Sequence, residues 1–98
     1  MTSAPTILNS YSFTFNHFIG ADESIKDYAK MCILLSFQPE YKSYYDKCKL
    51  IREKFAEKYA GNWRVIIFNQ NCGGSYGYYK DIYLHINYQG LTFIILNN

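Results

Sequence analysis

Charge is nearly missing from the last third of this sequence. Between Val65 and Asn98 only Lys80 and Asp81 carry a formal charge, so 16 of the 18 charged residues precede that block. A long apolar run is missing as well, which argues against a membrane span. The opening residues MTSAPTILNS lack both the basic segment and the apolar core of a secretory leader, so an intracellular chain is expected. Cysteine is scarce and odd in number: Cys32, Cys48 and Cys72 stand 16 and 24 residues apart, a spacing that fits neither a disulfide framework nor a paired-cysteine zinc site. With two histidines and no HxxxH pair, metal and cofactor are expected to be absent. The net charge of +2 is too small to make phosphate binding the default.

What the sequence does have is rings. Aromatics make up 19% of the residues and 11 of them are tyrosine, an excess that charge does not match. Ninety-eight residues make one domain, with 1–10 expected to be a flexible N-terminus, and a core this modest is often completed by association with another chain.

The period-two pattern of YSFTFNHF, residues 11–18, predicts a half-buried strand with Tyr11, Phe13, Phe15 and His17 on one face. Gly20 ends it, and Asp22 or Ser24 is placed to cap a helix in which Ile25, Tyr28, Ala29, Cys32, Leu35 and Ser36 recur at helical spacing. Pro39 interrupts that helix. A second is expected from near Tyr41, with Tyr44, Cys48, Ile51, Phe55 and Tyr59 on its apolar face and a mixed-charge solvated face that includes Lys49 and Arg52, until Gly61 stops it. From Trp63 the chain reads as strands: WRVIIF, SYGYY, IYLHIN and, after a turn at Tyr88-Gln89-Gly90, LTFIIL. The fold class expected is α+β, two helices packed on an antiparallel sheet in the order β-α-α-β-β-β-β. Helices cover one face of such a sheet, and the other is expected to need a protein partner.

The stretch NCGGSYGYY, Asn71 to Tyr79, opens a glycine-rich loop into a strand instead of a helix, which fails the context test for a phosphate-binding loop. An enzyme would have to draw on Cys72, His17 and His85, and no nucleophile-and-base constellation is evident among them. His85 alternates with Leu84 and Ile86 and reads as a polar-face or groove residue. A sheet of tyrosines that stacks single-stranded nucleic acid is the more serious rival, but the strands lack the Lys and Arg that would follow phosphates.

The segment IREKFAEKYAGNW, followed by an apolar strand, a Gly-Ser-Tyr entry to a short strand and a closing strand pair, resembles the dynein light chains of the eight-kilodalton type. The resemblance covers residues 41–98 closely and the earlier part loosely. Family members read I-K-K-E-F-x-K-K-Y-x-x-x-W and later F-G-S-Y; Ile51, Phe55, Lys58, Tyr59, Trp63, Gly74, Ser75 and Tyr76 fall on that pattern. The resemblance implies a dimer in which a short swapped strand completes the partner's sheet, with a groove that takes an extended peptide as an added strand. On that reading Gly73 and Gly74 form the exit and Ser75, Tyr76, Gly77, Tyr78 and Tyr79 the crossing strand; an ordinary hairpin loop is the alternative. The resemblance further places Asn71, Ile82, Leu84, Tyr44 and Tyr45 at the peptide groove, and Trp63, Arg64, Ser75 and Tyr76 at the dimer interface.

The departures are informative. The tryptophan-to-Gly-Ser-Tyr distance is two residues longer than in typical members, and Gly73 stands where an aromatic is usual. Tyr78-Tyr79 replaces Thr-His, and Tyr44-Tyr45 replaces the Glu-Lys pair that receives a client glutamine. The ordinary Thr-Gln-Thr client is therefore expected to bind poorly. Arg64 replaces a histidine near the two-fold axis; two facing arginines would repel, which leaves room for a heterodimer with a related light chain as well as a homodimer. The implied role is a non-catalytic light chain of a dynein motor, bound to dynein intermediate chains in the cytoplasm or cytoskeleton, including a ciliary axoneme. A dynein-independent peptide-binding dimerisation hub is the alternative. Neither nucleic acid nor membrane is expected as a partner.

Overall fold

The computed structural model describes residues 12–69 and 79–98. Its elements are β1 (Thr14–Ile19), α1 (Glu23–Leu35), α2 (Tyr44–Lys58), β2 (Trp63–Phe68), β3 (Tyr83–Tyr88) and β4 (Leu91–Asn97). Two helices and a four-stranded antiparallel sheet in the order β1-β3-β4-β2 make an α+β fold, and the elements follow one another along the chain as expected. The expected strand Ser75–Tyr79 lies outside the described residues except for Tyr79, as do Asn71, Cys72, Gly73, Gly74 and the N-terminal residues 1–11.

Local chemistry sets the element ends. Asp22 caps α1, its carboxylate accepting from the Ile25 N–H at 3.0 Å and from the Ser24 hydroxyl at 2.8 Å. Those two bonds favour the charged form and hold its pKa below the usual carboxylate range. The second helix begins three residues later than the expected Tyr41, because Ser43 is its cap and accepts from the Asp46 N–H at 3.0 Å. Gln89 and Gly90 both have positive φ, 53° and 74°, which makes the β3–β4 connection a tight two-residue hairpin of the kind that matches strand twist. Gly20 is required for a different reason: with φ at 72°, a Cβ there would collide with the Asp81 carbonyl that closes over the end of β1.

The first strand carries a register shift between Phe15 and His17, so Asn16 is an extra residue. Phe15 pairs with Ile86 and Phe18 with Leu84 on the helix side, whereas His17 pairs with His85. His17 consequently does not share a face with Phe13 and Phe15, contrary to the simple alternation, because a bulge flips every side chain beyond it.

Ala29, Cys32 and Ile33 of α1 and Ile51 and Phe55 of α2 pack on Trp63, Leu84, Ile86, Phe93 and Ile95 to form the main core. Tyr28, Phe55, Tyr59 and Trp63 mesh there, with Trp63 4.9 Å from Phe55 between ring centroids; the Trp63 indole N–H donates to the Tyr59 carbonyl at 3.0 Å, and the Tyr28 hydroxyl to the Lys54 carbonyl at 2.9 Å. The signature residues Phe55, Tyr59 and Trp63 thus have a packing role within one chain. The opposite face does not stand open at its centre: Tyr83, Ile94 and Leu96 are 1–2% exposed and His85 is 3% exposed, with Ile19, Ile66, Phe68 and Tyr79 packed against Tyr83, Ile94 and Leu96. His85 alternates with Leu84 and Ile86 as expected and is on this face, but it is buried there.

The apolar stripe of α2 also differs from expectation. Tyr44 is 43% exposed, and the buried positions are Lys47, Ile51 and Phe55. Lys47 is accommodated because its ammonium donates to the Ser36 carbonyl at 2.6 Å and the Tyr41 carbonyl at 2.9 Å, and lies 4.5 Å from the centre of the Phe37 ring. A cation set against the carbonyls that follow α1 satisfies the negative end of that helix.

Candidate partner-strand groove

Strand β2 pairs with β4 through six consecutive residues, Trp63↔Asn97 to Phe68↔Thr92, without a register shift. It ends the sheet, so its other side has no strand beside it among the described residues. A strand in that position presents a row of backbone donors and acceptors, a template for another strand. The alternation WRVIIF sends Trp63, Val65 and Ile67 toward the helices and Arg64, Ile66 and Phe68 toward the other face.

A groove of about 540 Å³ runs between α2 and this strand. Tyr45, Cys48, Lys49 and Arg52 form the helical wall, and Trp63, Arg64, Val65 and Ile66 the strand wall. The four helical residues recur at i, i+3, i+4 and i+7, one stripe of α2 turned toward β2. Tyr45 is 71% exposed, while burial pushes the Cys48 thiol pKa up, an effect that the Ile67 backbone partly offsets. Such a thiol is protonated at neutral pH and is a poor nucleophile. Cys32, shut in the core, is pushed up to about 11 by the same desolvation. Among the described residues, no group of three His, Cys, Asp or Glu side chains could hold a metal ion, and no helix is long and apolar enough to cross a membrane.

The groove brings together three residues expected at a site: Tyr45, Trp63 and Arg64. Tyr44 adjoins Tyr45 at the start of α2 but does not line the groove. Ile82 and Leu84 are elsewhere: β4 separates β3 from β2, Leu84 is fully buried in the main core, and Ile82 packs against that core while its N–H donates to Asn97 Oδ1 at 2.7 Å. In the single chain they do not line the groove beside β2, as the strand order requires. Tyr79 packs on Tyr83 at 5.5 Å, on the face opposite the helices. Asn71, Gly73, Gly74, Ser75, Tyr76, Gly77 and Tyr78 are outside the described residues.

By spacing, Cys48 belongs to the apolar face of α2, and Lys49 and Arg52 to its solvated face. The spacing of Tyr45, Cys48, Lys49 and Arg52 held the signal, but a stripe that is half polar reads as solvent until a strand is known to lie beside it. No known family model matches the chain, and no curated protein matches it.

Proposed function

We propose that this chain is a non-catalytic light chain that pairs with a second copy or a related chain and holds extended segments of a dynein intermediate chain by strand addition. The observation that carries the reading is the regular edge of β2, which has no strand beside it among the described residues and lies along a groove walled by α2. An edge without a bulge offers main-chain hydrogen bonds, and a groove beside it offers side-chain selection, the two ingredients of peptide capture by a sheet. The motif residues from Ile51 to Trp63 and the Gly-Ser-Tyr segment add the resemblance to dynein light chains. In this reading Ser75–Tyr79 leaves its own subunit and pairs with β2 of the partner, the client adds to the far side of that crossing strand along α2, and two clients on one dimer each raise the effective concentration of the other contact.

Sedimentation of the purified chain, followed by co-purification from cells with a tagged copy, tests the proposal. The expected result is a dimer at micromolar concentration that retains an intermediate chain, and loss of one or both on Gly77→Pro, which deletes a backbone donor in the crossing segment while the helices stay folded. A chain that sediments as a compact monomer and keeps its fold on dilution, or a Gly77→Pro variant with both associations intact, removes the swapped-strand reading.

A further inference from the structure

The chemistry of the α2–β2 groove is one-sided. Lys49, Arg52 and Arg64 line it and no carboxylate does. The acidic residues of α2, Asp46, Glu53 and Glu57, do not line the groove. Lys49 and Arg52 are exposed, and neither has an ion-pair partner among the described residues. Two cations one helical turn apart, beside a strand edge with no neighbouring strand among the described residues, are a poor match for a neutral occupant. The segment Ser75–Tyr79 carries no charge, so a crossing strand from a second copy leaves both cations unneutralised.

We propose that the client segment held along this groove is acidic, with Asp or Glu at alternate positions facing α2. The inference rests on the strand-addition reading above and names the chemistry of its client. Side chains three apart on a helix stand about 5–6 Å from one another. Alternate side chains of an extended strand repeat at roughly 6.5–7 Å. Carboxylates at positions i and i+2 of an added strand therefore come within reach of Lys49 and Arg52, whose long side chains absorb the remaining difference. The apolar floor of Trp63 and Val65 and the ring of Tyr45 accept the hydrocarbon parts of the same segment. Exposed pairs are individually weak, so the acid code acts as a selectivity filter added to main-chain affinity.

The test is a fluorescence titration at low salt with three labelled peptides of about ten residues. One alternates aspartate with valine, one replaces each aspartate by asparagine, and one replaces each by lysine. The aspartate peptide is expected to bind about tenfold more tightly than the asparagine peptide, an advantage that shrinks as salt is raised. In the double variant Lys49→Glu/Arg52→Glu the order inverts toward the lysine peptide, with an unchanged urea midpoint as the check on folding. Equal affinities for the aspartate and asparagine peptides, or an aspartate preference that survives the double variant, overturns the inference. So does a thymidine oligonucleotide bound more tightly than the aspartate peptide, which makes the groove a phosphate site. Sedimentation of the same samples separates the two readings. A dimer that discriminates none of the peptides overturns the acid code and leaves dimerisation standing. A monomer that binds the aspartate peptide and inverts on charge reversal supports the acid code and removes the dimer.

Discussion

The two ends of the sheet are built from similar strands and treated in opposite ways. Both β1 and β2 are six residues long and mostly uncharged, and each has one neighbour in the sheet among the described residues. At β1 the extra residue Asn16 breaks the register, and the Lys26 ammonium sits 3.4 Å from the centre of the Phe18 ring, with Lys30 5.7 Å from Phe15. A bulge and nearby lysines are devices that keep an edge from recruiting another strand. At β2 the register is unbroken and the flanking helix stands off to leave a groove. The contrast teaches that edge exposure by itself says little. What distinguishes the ends is whether the backbone row is continuous and whether there is room for side chains beside it.

The sharpest way to break the comparison is a pair of proline substitutions at neighbouring positions, Val65→Pro and Ile66→Pro. Successive N–H groups of a strand point to opposite sides, so one substitution removes a bond to β4 and the other a donor on the uncovered side. Asn62 accepts from the Asn98 N–H, which sets the phase and turns the Ile66 N–H toward β4, so Ile66→Pro is expected to cost about 3 kcal/mol or more in a urea titration, and Val65→Pro to preserve more of the fold while weakening association in sedimentation. If both variants are equally destabilised and equally able to associate, β2 is not a one-sided template.

A smaller loss is expected where the groove's helical wall joins α1. Lys47→Ala leaves the Ser36 and Tyr41 carbonyls without their charged donor, at a cost of about 2–3 kcal/mol. A stability change within error would show that water replaces the ammonium without penalty.

Smaller again is an alkaline loss that reports on the core and not on the groove. The Cys32 thiol is raised from 9.0 to about 11, so the folded state disfavours its thiolate. Stability from this group is complete below the unfolded value and is lost as pH rises from 9 through about 11, by roughly 2–3 kcal/mol. Cys32→Ala should flatten that slope; an identical slope assigns the loss to other groups. In native protein, a thiol reagent is expected to label Cys48 in preference to Cys32, and more slowly once the groove is filled.

The smallest effect belongs to β1. Lys26→Ala removes the cation from the Phe18 ring and is expected to cost about 0.5–1 kcal/mol without creating a new oligomer, because the bulge still interrupts the backbone row. A new concentration-dependent species in this variant would mean that the lysine, and not the bulge, protects the edge.

Much of the architecture was legible because it rests on local signals. WRVIIF is β2 to the residue, Asp22 caps α1 as one of two expected residues, and Gly61 follows α2 with φ at 121°. The groove was legible only in part. Tyr45, Trp63 and Arg64 line it, but Lys49 and Arg52 read as ordinary solvated charges, and Leu84, expected at the peptide, is in the core. Spacing tells which side chains share a face; it does not tell which element that face meets.

Sequence alone determined the two helices and the described strands, the Asp22 cap, and the separation of charged helices from nearly uncharged strands, since each depends on residues within one or two turns of chain. Only the tertiary structure decided the strand order that makes β1 and β2 the edges, the bulge that turns His17 away from Phe15, and the burial of Lys47 against the end of α1. These depend on pairings between residues far apart in the chain. Register, in particular, is set when both faces of a sheet find their cover together, and a single inserted residue reverses the outcome for every side chain beyond it.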